Sequence, residues 1–298
     1  MVDVGVVLPT MTVRGELPGD VTAAARHAEE LGFESVWVVD QLVAGTGVPL
    51  LDSLMSLAAV AAVTERVRLG LGVLVVPLRP VVWVAKQVAS LQHLSGDRVL
   101  LGVGAGGDRH EQSWLATDVP RRERGRRTEE ALRLLPDLIA GRSTRLRQTD
   151  IQLSPAATVP PIIVGGMSDA AVRRAAAYGD GWYLLAPPER IPALVDRVRT
   201  LAAEHGRPQP AITTNVMVAI DGDPSLPDRA TMLRTLTDPD GLFGMPAEFA
   251  EDAVVTGAPA VIAEHLSRLA DSGVERVVVT FVGGDWNRQA ELLAHASR

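Results

Sequence analysis

The segment Arg98–Glu111, "RVLLGVGAGGDRHE", sets a run of glycines directly ahead of a histidine and a carboxylate. Gly102, Gly104 and Gly107 spell G-x-G-x-x-G, the turn that seats a dinucleotide pyrophosphate on a helix N-terminus. That use requires a helix opening at the third glycine, in the chain's first strand–helix unit. Here the third glycine opens onto "DRHEQSWLATDVPRRERG", which is polar and contains Pro120. The spelling therefore does not describe a Rossmann turn. Two uses remain. Glycines at a strand end let a flat ligand approach the backbone, or they only relieve crowding. His110 and Glu111, just past the run, have the chemistry to supply a proton in a reduction; the plainer alternative is a solvated pair.

A second glycine pair lies in "PPIIVGGMSDAAVRR". Gly165-Gly166 between an apolar run and a helix start at Ser168 exposes backbone N–H groups and the positive end of a helix dipole, which suits a phosphate. An ordinary tight turn is the alternative. Asp40 and Gln41 end a third apolar run, "SVWVVDQL". Arg121 to Arg127, with Glu123, Glu129 and Glu130, reads first as an ion-paired helix face. The histidines at 27, 93, 205, 265 and 295 sit in helical patterns without metal-site spacing, and "GMSDA" is not a nucleophile elbow. Trp83 is expected to pack against a neighbour, and Trp182 fits either packing or cofactor contact.

These residues need a frame that gathers strand ends. Short runs of Val, Leu and Ile alternate with amphipathic stretches eight times, from "VDVGVVLP" through "VERVVVTFV" to "DWNRQAELLAHAS". Continuous apolar strands belong to a parallel sheet buried on both faces. Eight strand–helix units in succession predict a (β/α)8 TIM barrel spanning residues 1–298 as one domain, with its chemistry at the C-terminal strand ends. Asp20 and Gly32 are the expected N-cap and stop of the first helix, and Pro80 and Gly96 bracket the third. Asp221 to Thr256 breaks the rhythm with Pro, Gly and Asp. It is expected to be an insertion between strand seven and helix seven that forms a lid or wall near the mouth.

Composition narrows the partners. Apolar residues are 47% and charged residues 22% of the chain, enough for a large core, and the net charge of −7 argues against nucleic acid or anionic membranes as partners. There is no cysteine, so disulfides and thiolate chemistry are excluded. No signal-like or membrane-spanning run is evident, so a cytoplasmic protein is expected. "LDSLMSLAAVAAVT" and "PVVWVAKQVASLQHL" are apolar on more than one face, which predicts a homodimer packed through helices two and three.

The blocks "AEELGFESVWVVDQL", "RVRLGLGVLVVPLRPVVWVAKQVASLQHLSGDRVLLGVGAGG", "PPIIVGGMSDAAVRRAAAYGDGW" and "SGVERVVVTFV" resemble the bacterial luciferase-like superfamily over nearly the whole chain. The resemblance implies a barrel that binds FMN or the deazaflavin coenzyme F420 at its mouth. "LSGDRVLLGVGAGG" and "GDGW" are most similar to the F420-dependent oxidoreductases. It implies that Asp40 contacts the ring or its side chain. It further implies that "GVLVV" forms a bulge behind the ring with a non-proline cis bond, at Val73–Leu74, and that Val76 touches the ring edge. Ala105 and Gly106 would supply backbone contacts, and Gly165, Gly166, Ser168 and Asp169 the phosphate turn. The basic run then becomes a candidate holder of the deazaflavin's anionic tail.

Two departures matter. Relatives that oxidise sugar phosphates or alcohols carry a His base where this chain has Gln41, and a Glu where it has Gly107. An amide cannot take up a proton near neutral pH but can form hydrogen bonds. The expectation is hydride transfer from F420 to a small-molecule acceptor with an unsaturated or carbonyl group, with Gln41 orienting it and His110–Glu111 as candidate proton source. An FMN-dependent monooxygenase and a non-catalytic flavin-binding protein are the alternatives.

Overall fold

A computed structural model describes residues 2–107, 111–241 and 243–297. In chain order the first half comprises β1 (Asp3–Val7), α1 (Val21–Leu31), β2 (Ser35–Val38), α2 (Ser53–Ala61), β3 (Arg68–Leu71), β4 (Leu74–Val75), α3 (Val81–Ser95), β5 (Val99–Gly104), α4 (Glu111–Ala116) and α5 (Arg124–Ile139). There follow β6 (Thr144–Leu146), β7 (Thr149–Ile151), β8 (Ile162–Gly165), α6 (Asp169–Tyr178), β9 (Gly181–Leu184), α7 (Ile191–Glu204) and β10 (Ala211–Ile220). The last part holds α8 (Arg229–Thr237), α9 (Ala247–Ala253), β11 (Val254–Gly257), α10 (Pro259–Asp271), β12 (Arg276–Phe281) and α11 (Trp286–Ala296).

Parallel pairing runs β10-β12-β1-β2-β3-β5-β8-β9 and returns from β9 to β10, so eight strands close a barrel. The closure is the expected (β/α)8 architecture. Strand residues alternate between two cores. Val6, Val36, Leu69, Leu101, Val164, Trp182 and Val279 face outward into the layer shared with the helices. Val7, Trp37, Leu100, Ile163, Tyr183 and Val278 fill the barrel interior.

The helix boundaries follow local chemistry. Asp20 accepts from the N–H groups of Thr22 (3.1 Å) and Ala23 (3.0 Å), and Gly32 ends α1 in the left-handed region at φ 90°. Gly96 ends α3 at φ 66°. Glu29 ties α1 to the turn before β3 by accepting from Arg66 N (2.6 Å) and Val67 N (2.8 Å), with Glu65 N shared between both oxygens.

The segment 221–256 holds α8, α9 and most of β11, and β11 adds to β10 at Met217–Ile220. It sits at the C-terminal mouth: Phe243 packs with Met11, Ala44, Val48 and Leu50 of the loops after β1 and β2, and Arg14 donates to the Asp240 carbonyl at 3.2 Å. One element was not expected. The β6–β7 hairpin follows α5 outside the barrel, where its turn meets the N-terminal ends of α3 and α5. Trp83 does not pack against a neighbour as expected; it is 64% exposed. No helix among the described residues is long and apolar enough to cross a membrane.

Candidate active site

The C-terminal ends of β5, β8 and β9 open onto a cleft of about 710 Å³. The bulge between β3 and β4 forms one wall. A non-proline cis bond is present there, at Gly72–Val73 rather than at the expected Val73–Leu74. Gly72 and Val73 line it. Leu74 and Val76 are buried in the outer core and do not, so the expected ring-edge contact by Val76 is not formed.

The glycine run now has a physical account. A Cβ on Gly104 would collide with Cγ2 of Val73, and one on Gly102 with the Leu71 carbonyl and with Val73 Cγ1. A Cβ on Gly165 would lie 2.9 Å from Val73 Cγ1. Three glycines from two strands thus make room for the Val73 side chain, which is the crowding reading. Gly106 has φ 68°, and a Cβ there would press on Trp114 at 2.8 Å and Val75 at 2.9 Å. Only Gly107 faces open space, and with Ala105 and Gly106 it presents backbone to the cleft.

Asp40 does something other than contact a ligand. Its carboxylate is buried and fully engaged. Arg79 grips it with both terminal nitrogens at 2.8 Å, Val75 N–H donates at 2.8 Å, and the Ser53 hydroxyl donates at 2.9 Å. Asp40 is a positioning residue that fixes the bulge. Gln41 is different: it does not line the cleft, and its Oε1 is buried without a hydrogen-bond partner among the described residues. An orphaned buried acceptor costs about 1–3 kcal/mol unless a ligand donor meets it.

The phosphate turn is rearranged relative to expectation. Gly166, at φ 119°, uses its N–H on the Tyr183 carbonyl (3.1 Å), and its own carbonyl accepts from Trp182 Nε1 (2.9 Å). Gly166 therefore shapes the turn and offers no donor, and Trp182 serves packing. The donors lie one turn on, at the start of α6. Ser168 caps the helix by accepting from Ala171 N at 3.2 Å, which leaves its hydroxyl proton to donate. The N–H groups of Asp169 and Ala170 have no intrahelical acceptor. The Asp169 carboxylate is drawn away by Arg197 at 2.9 Å, so that residue contributes backbone alone.

Facing this helix end are Arg122, Arg124 and Arg174. None is ion-paired with a described residue, and the Nε of Arg174 is buried without a partner. The rest of the basic run behaves as a solvated face: Arg126 and Arg127 pair with Glu123 and Glu130 at 3.0–3.2 Å. Sequence reasoning missed Arg174, whose only signal is its place one turn into the helix after Gly165-Gly166. It also missed Tyr183, whose ring lines the cleft beside Gly72. Burial pushes the Tyr183 phenol up, and hydrogen bonding with Asn215 opposes this only in part.

Glu111 is not brought to the cleft; it lines a separate 240 Å³ crevice against Asp240 and Gly244. His110 lies outside the described residues.

A flat wall, an exposed backbone edge and a cationic end thus lie together on a closed parallel barrel. The model of luciferase-like monooxygenases covers residues 3–276. The chain belongs to that family. An uncharacterised protein of Mycobacterium tuberculosis is 38% identical over 171 residues, 55% of this chain and 58% of that protein, so the match spans little over half of the relative. An F420-dependent glucose-6-phosphate dehydrogenase of Kineococcus radiotolerans is 27% identical over 91% of this chain and 89% of its own length. The fold is shared with an F420-dependent secondary alcohol dehydrogenase solved with an F420–acetone adduct (TM-score 0.81, 18% identity, 100% and 99% of the two chains). This luciferase-like chain thus sits in an enzyme family with F420-dependent oxidoreductases among its relatives.

Proposed function

We propose that the protein is an F420-dependent oxidoreductase that reduces an unsaturated or carbonyl group of a small organic molecule. The observation that carries this reading is the set of three arginines beside the start of α6 that have no carboxylate partner among the described residues. FMN ends in a single phosphate, which a capped helix end and one arginine suffice to hold. The deazaflavin continues past its phosphate into carboxylates, and three guanidinium groups match that greater charge. The group fits the cleft: Ala105, Gly106 and Gly107 present backbone to it, and the orphaned Arg174 Nε awaits an acceptor.

Bound there, the deazaflavin would supply hydride transfer at its ring carbon. The chain's own residues do the rest. Gly72 and Val73 form the shelf, held in place by Asp40 through the Val75 N–H. Ala105, Gly106 and Gly107 give a backbone edge, and Ser168 with the first turn of α6 holds the phosphate. The Tyr183 hydroxyl stays protonated and serves as hydrogen-bond donor at the cleft floor. Gln41 accepts a hydrogen bond and cannot act as a base, which favours reduction over alcohol oxidation. The protein acts as a homodimer, through the outward faces of α2 and α3 that carry Met55, Trp83 and Leu94.

The test is a fluorescence titration of the protein with F420 and with FMN. F420 is expected to bind more tightly, and Arg174→Met to weaken it at least about tenfold, roughly 1.4 kcal/mol. Tight FMN binding with weak F420 binding would move the protein to the monooxygenases of the family.

A further inference from the structure

Across the mouth from the arginine-lined cleft lies a second cavity, of about 480 Å³. It is enclosed by the loop after β1, the insertion with α8, and the turn after β12. Met11, Val13, Met232, Phe243 and Phe281 give it apolar walls, interspersed with neutral hydroxyls of Thr12, Ser225, Thr231, Thr235 and Thr280. Trp286 closes one side. Its Nε1 donates to the Val7 carbonyl at 2.9 Å, and its ring meets Phe281 edge-on at 5.8 Å and 78°. Both contacts fix the ring before any ligand arrives.

The two cavities share a floor. Asn215 Nδ2 donates to the Thr280 hydroxyl at 2.9 Å, and Thr280 lines the second cavity. Asn215 also neighbours Tyr183, which lines the first. Val7 packs in the interior cluster with Tyr183 and Val73 and reaches the second cavity as well. A molecule in the second cavity therefore faces the shelf across the top of the barrel interior.

The charge of this chamber is one-sided. Among the described residues no Lys, Arg or His lines it, and the one ionisable lining residue is Glu16, which accepts from the Thr12 hydroxyl at 3.0 Å. The two helices that begin at its rim offer no free anion site. Asp228 caps α8 on Thr231 N at 2.7 Å, and Asp285 caps α11 on Arg288 N at 2.8 Å. An anion entering here would lose water, find no counter-charge and meet a carboxylate.

We infer that this chamber binds the hydride acceptor, and that the acceptor is a neutral, largely apolar molecule rather than a phosphorylated or carboxylated one. The inference rests on the proposed oxidoreductase reading for what happens to the molecule, but not for how it is selected. The probes are a matched pair, benzalacetone (a neutral enone) and cinnamate (its carboxylate counterpart), with glucose 6-phosphate as a polar anion. Binding of each to the purified protein is measured by calorimetry, and F420 is titrated on the same preparation. Benzalacetone is expected to bind at least about tenfold more tightly than cinnamate. Val13 is exposed, so Val13→Arg tolerates the added length; it is expected to bring cinnamate to within about threefold of benzalacetone. Equal binding of the pair, preference for either anion, or no benzalacetone binding at millimolar concentration would overturn the inference. So would an unchanged preference in Val13→Arg. Enone selectivity without F420 binding would sink the cofactor reading and leave the chamber standing; F420 binding without enone selectivity would do the reverse.

Discussion

Replacing Arg79 by methionine leaves the Asp40 carboxylate, whose side chain is only 3% exposed, without its cation. Two hydrogen bonds of 2.8 Å disappear, while those from Val75 N–H and Ser53 remain. Breaking one side of a buried pair costs about 3–5 kcal/mol, and the two surviving donors place Arg79→Met near the lower end, about 3 kcal/mol. The reverse change, Asp40→Leu, strands Arg79 less severely, since Asp52 is already 3.9 Å from its other nitrogen. It does orphan the Val75 N–H, so about 2–3 kcal/mol is expected. In the double variant the unpaired charges are gone and the Val75 N–H and the Ser53 hydroxyl are the donors left without their acceptor. Its total should fall near about 2–3 kcal/mol, well below the sum of the singles, with a coupling of at least about 1.5 kcal/mol. Urea denaturation followed by circular dichroism measures all three variants. An Arg79→Met cost below about 1 kcal/mol, or additivity within about 0.5 kcal/mol, would refute the reasoning. The same series separates positioning from contact: Asp40→Leu should weaken F420 binding by releasing the shelf, and Arg79→Met, which keeps the Val75 bond, should weaken it less.

Glu29 makes a pH prediction. Burial raises its pKa, but the N–H groups of Val67, Arg66 and Glu65 outweigh that and hold the carboxyl below its ordinary 4.5. A depressed carboxyl stabilises the fold above its unfolded pKa and loses that stabilisation as pH falls through the folded value, so the parent should lose stability below about pH 4.5 more steeply than Glu29→Gln. At neutral pH Glu29→Gln should cost about 2 kcal/mol in urea denaturation. Gln41→Ala should leave F420 affinity within about twofold and slow turnover with the enone at least about tenfold; unchanged turnover would free Gln41 from any role. Trp83→Glu, on the 64%-exposed face of α3, should shift sedimentation from dimer to monomer, and a parent monomeric at micromolar concentration would refute the dimer.

The barrel was legible because its strands are unbroken apolar runs and its helices carry local stop signals such as Gly32 and Gly96. The hairpin at 144–151 was not: "TRLRQTDI" has no apolar alternation, and it pairs because the chain outside α3 and α5 brings it together. In the site, the importance of Gly165 and Gly166 was readable from residue type. Their roles were not, because the Gly166 N–H is claimed by the carbonyl of Tyr183 on the next strand, a partner no local pattern reveals. The bulge shows the same limit. Side chains alternate faces along a strand, and it is Val73 that faces the cleft while Leu74 and Val76 face the outer core. Tyr183 was hidden for a related reason. In "GWYLL" nothing distinguishes the outward Trp182 from the inward Tyr183 until the barrel's handedness of facing is set.

Val73, Gly104 and Gly165 behave as a single volume divided among three positions, whereas Gly102 is closed by the Leu71 backbone carbonyl whatever stands at 73. Whatever one of the three side chains gains, another must give up, because the room at Gly104 and Gly165 is filled by Val73. Substitutions here are then not independent. Gly104→Ala in the parent overpacks the wall, at about 1–3 kcal/mol. In a Val73→Ala background the added methyl would enter the room vacated by the missing Cγ2, and the cost should largely vanish. A lineage or a design that reshapes this wall must therefore move by paired changes, and a single-site scan would judge each of the three positions immutable when only their sum is.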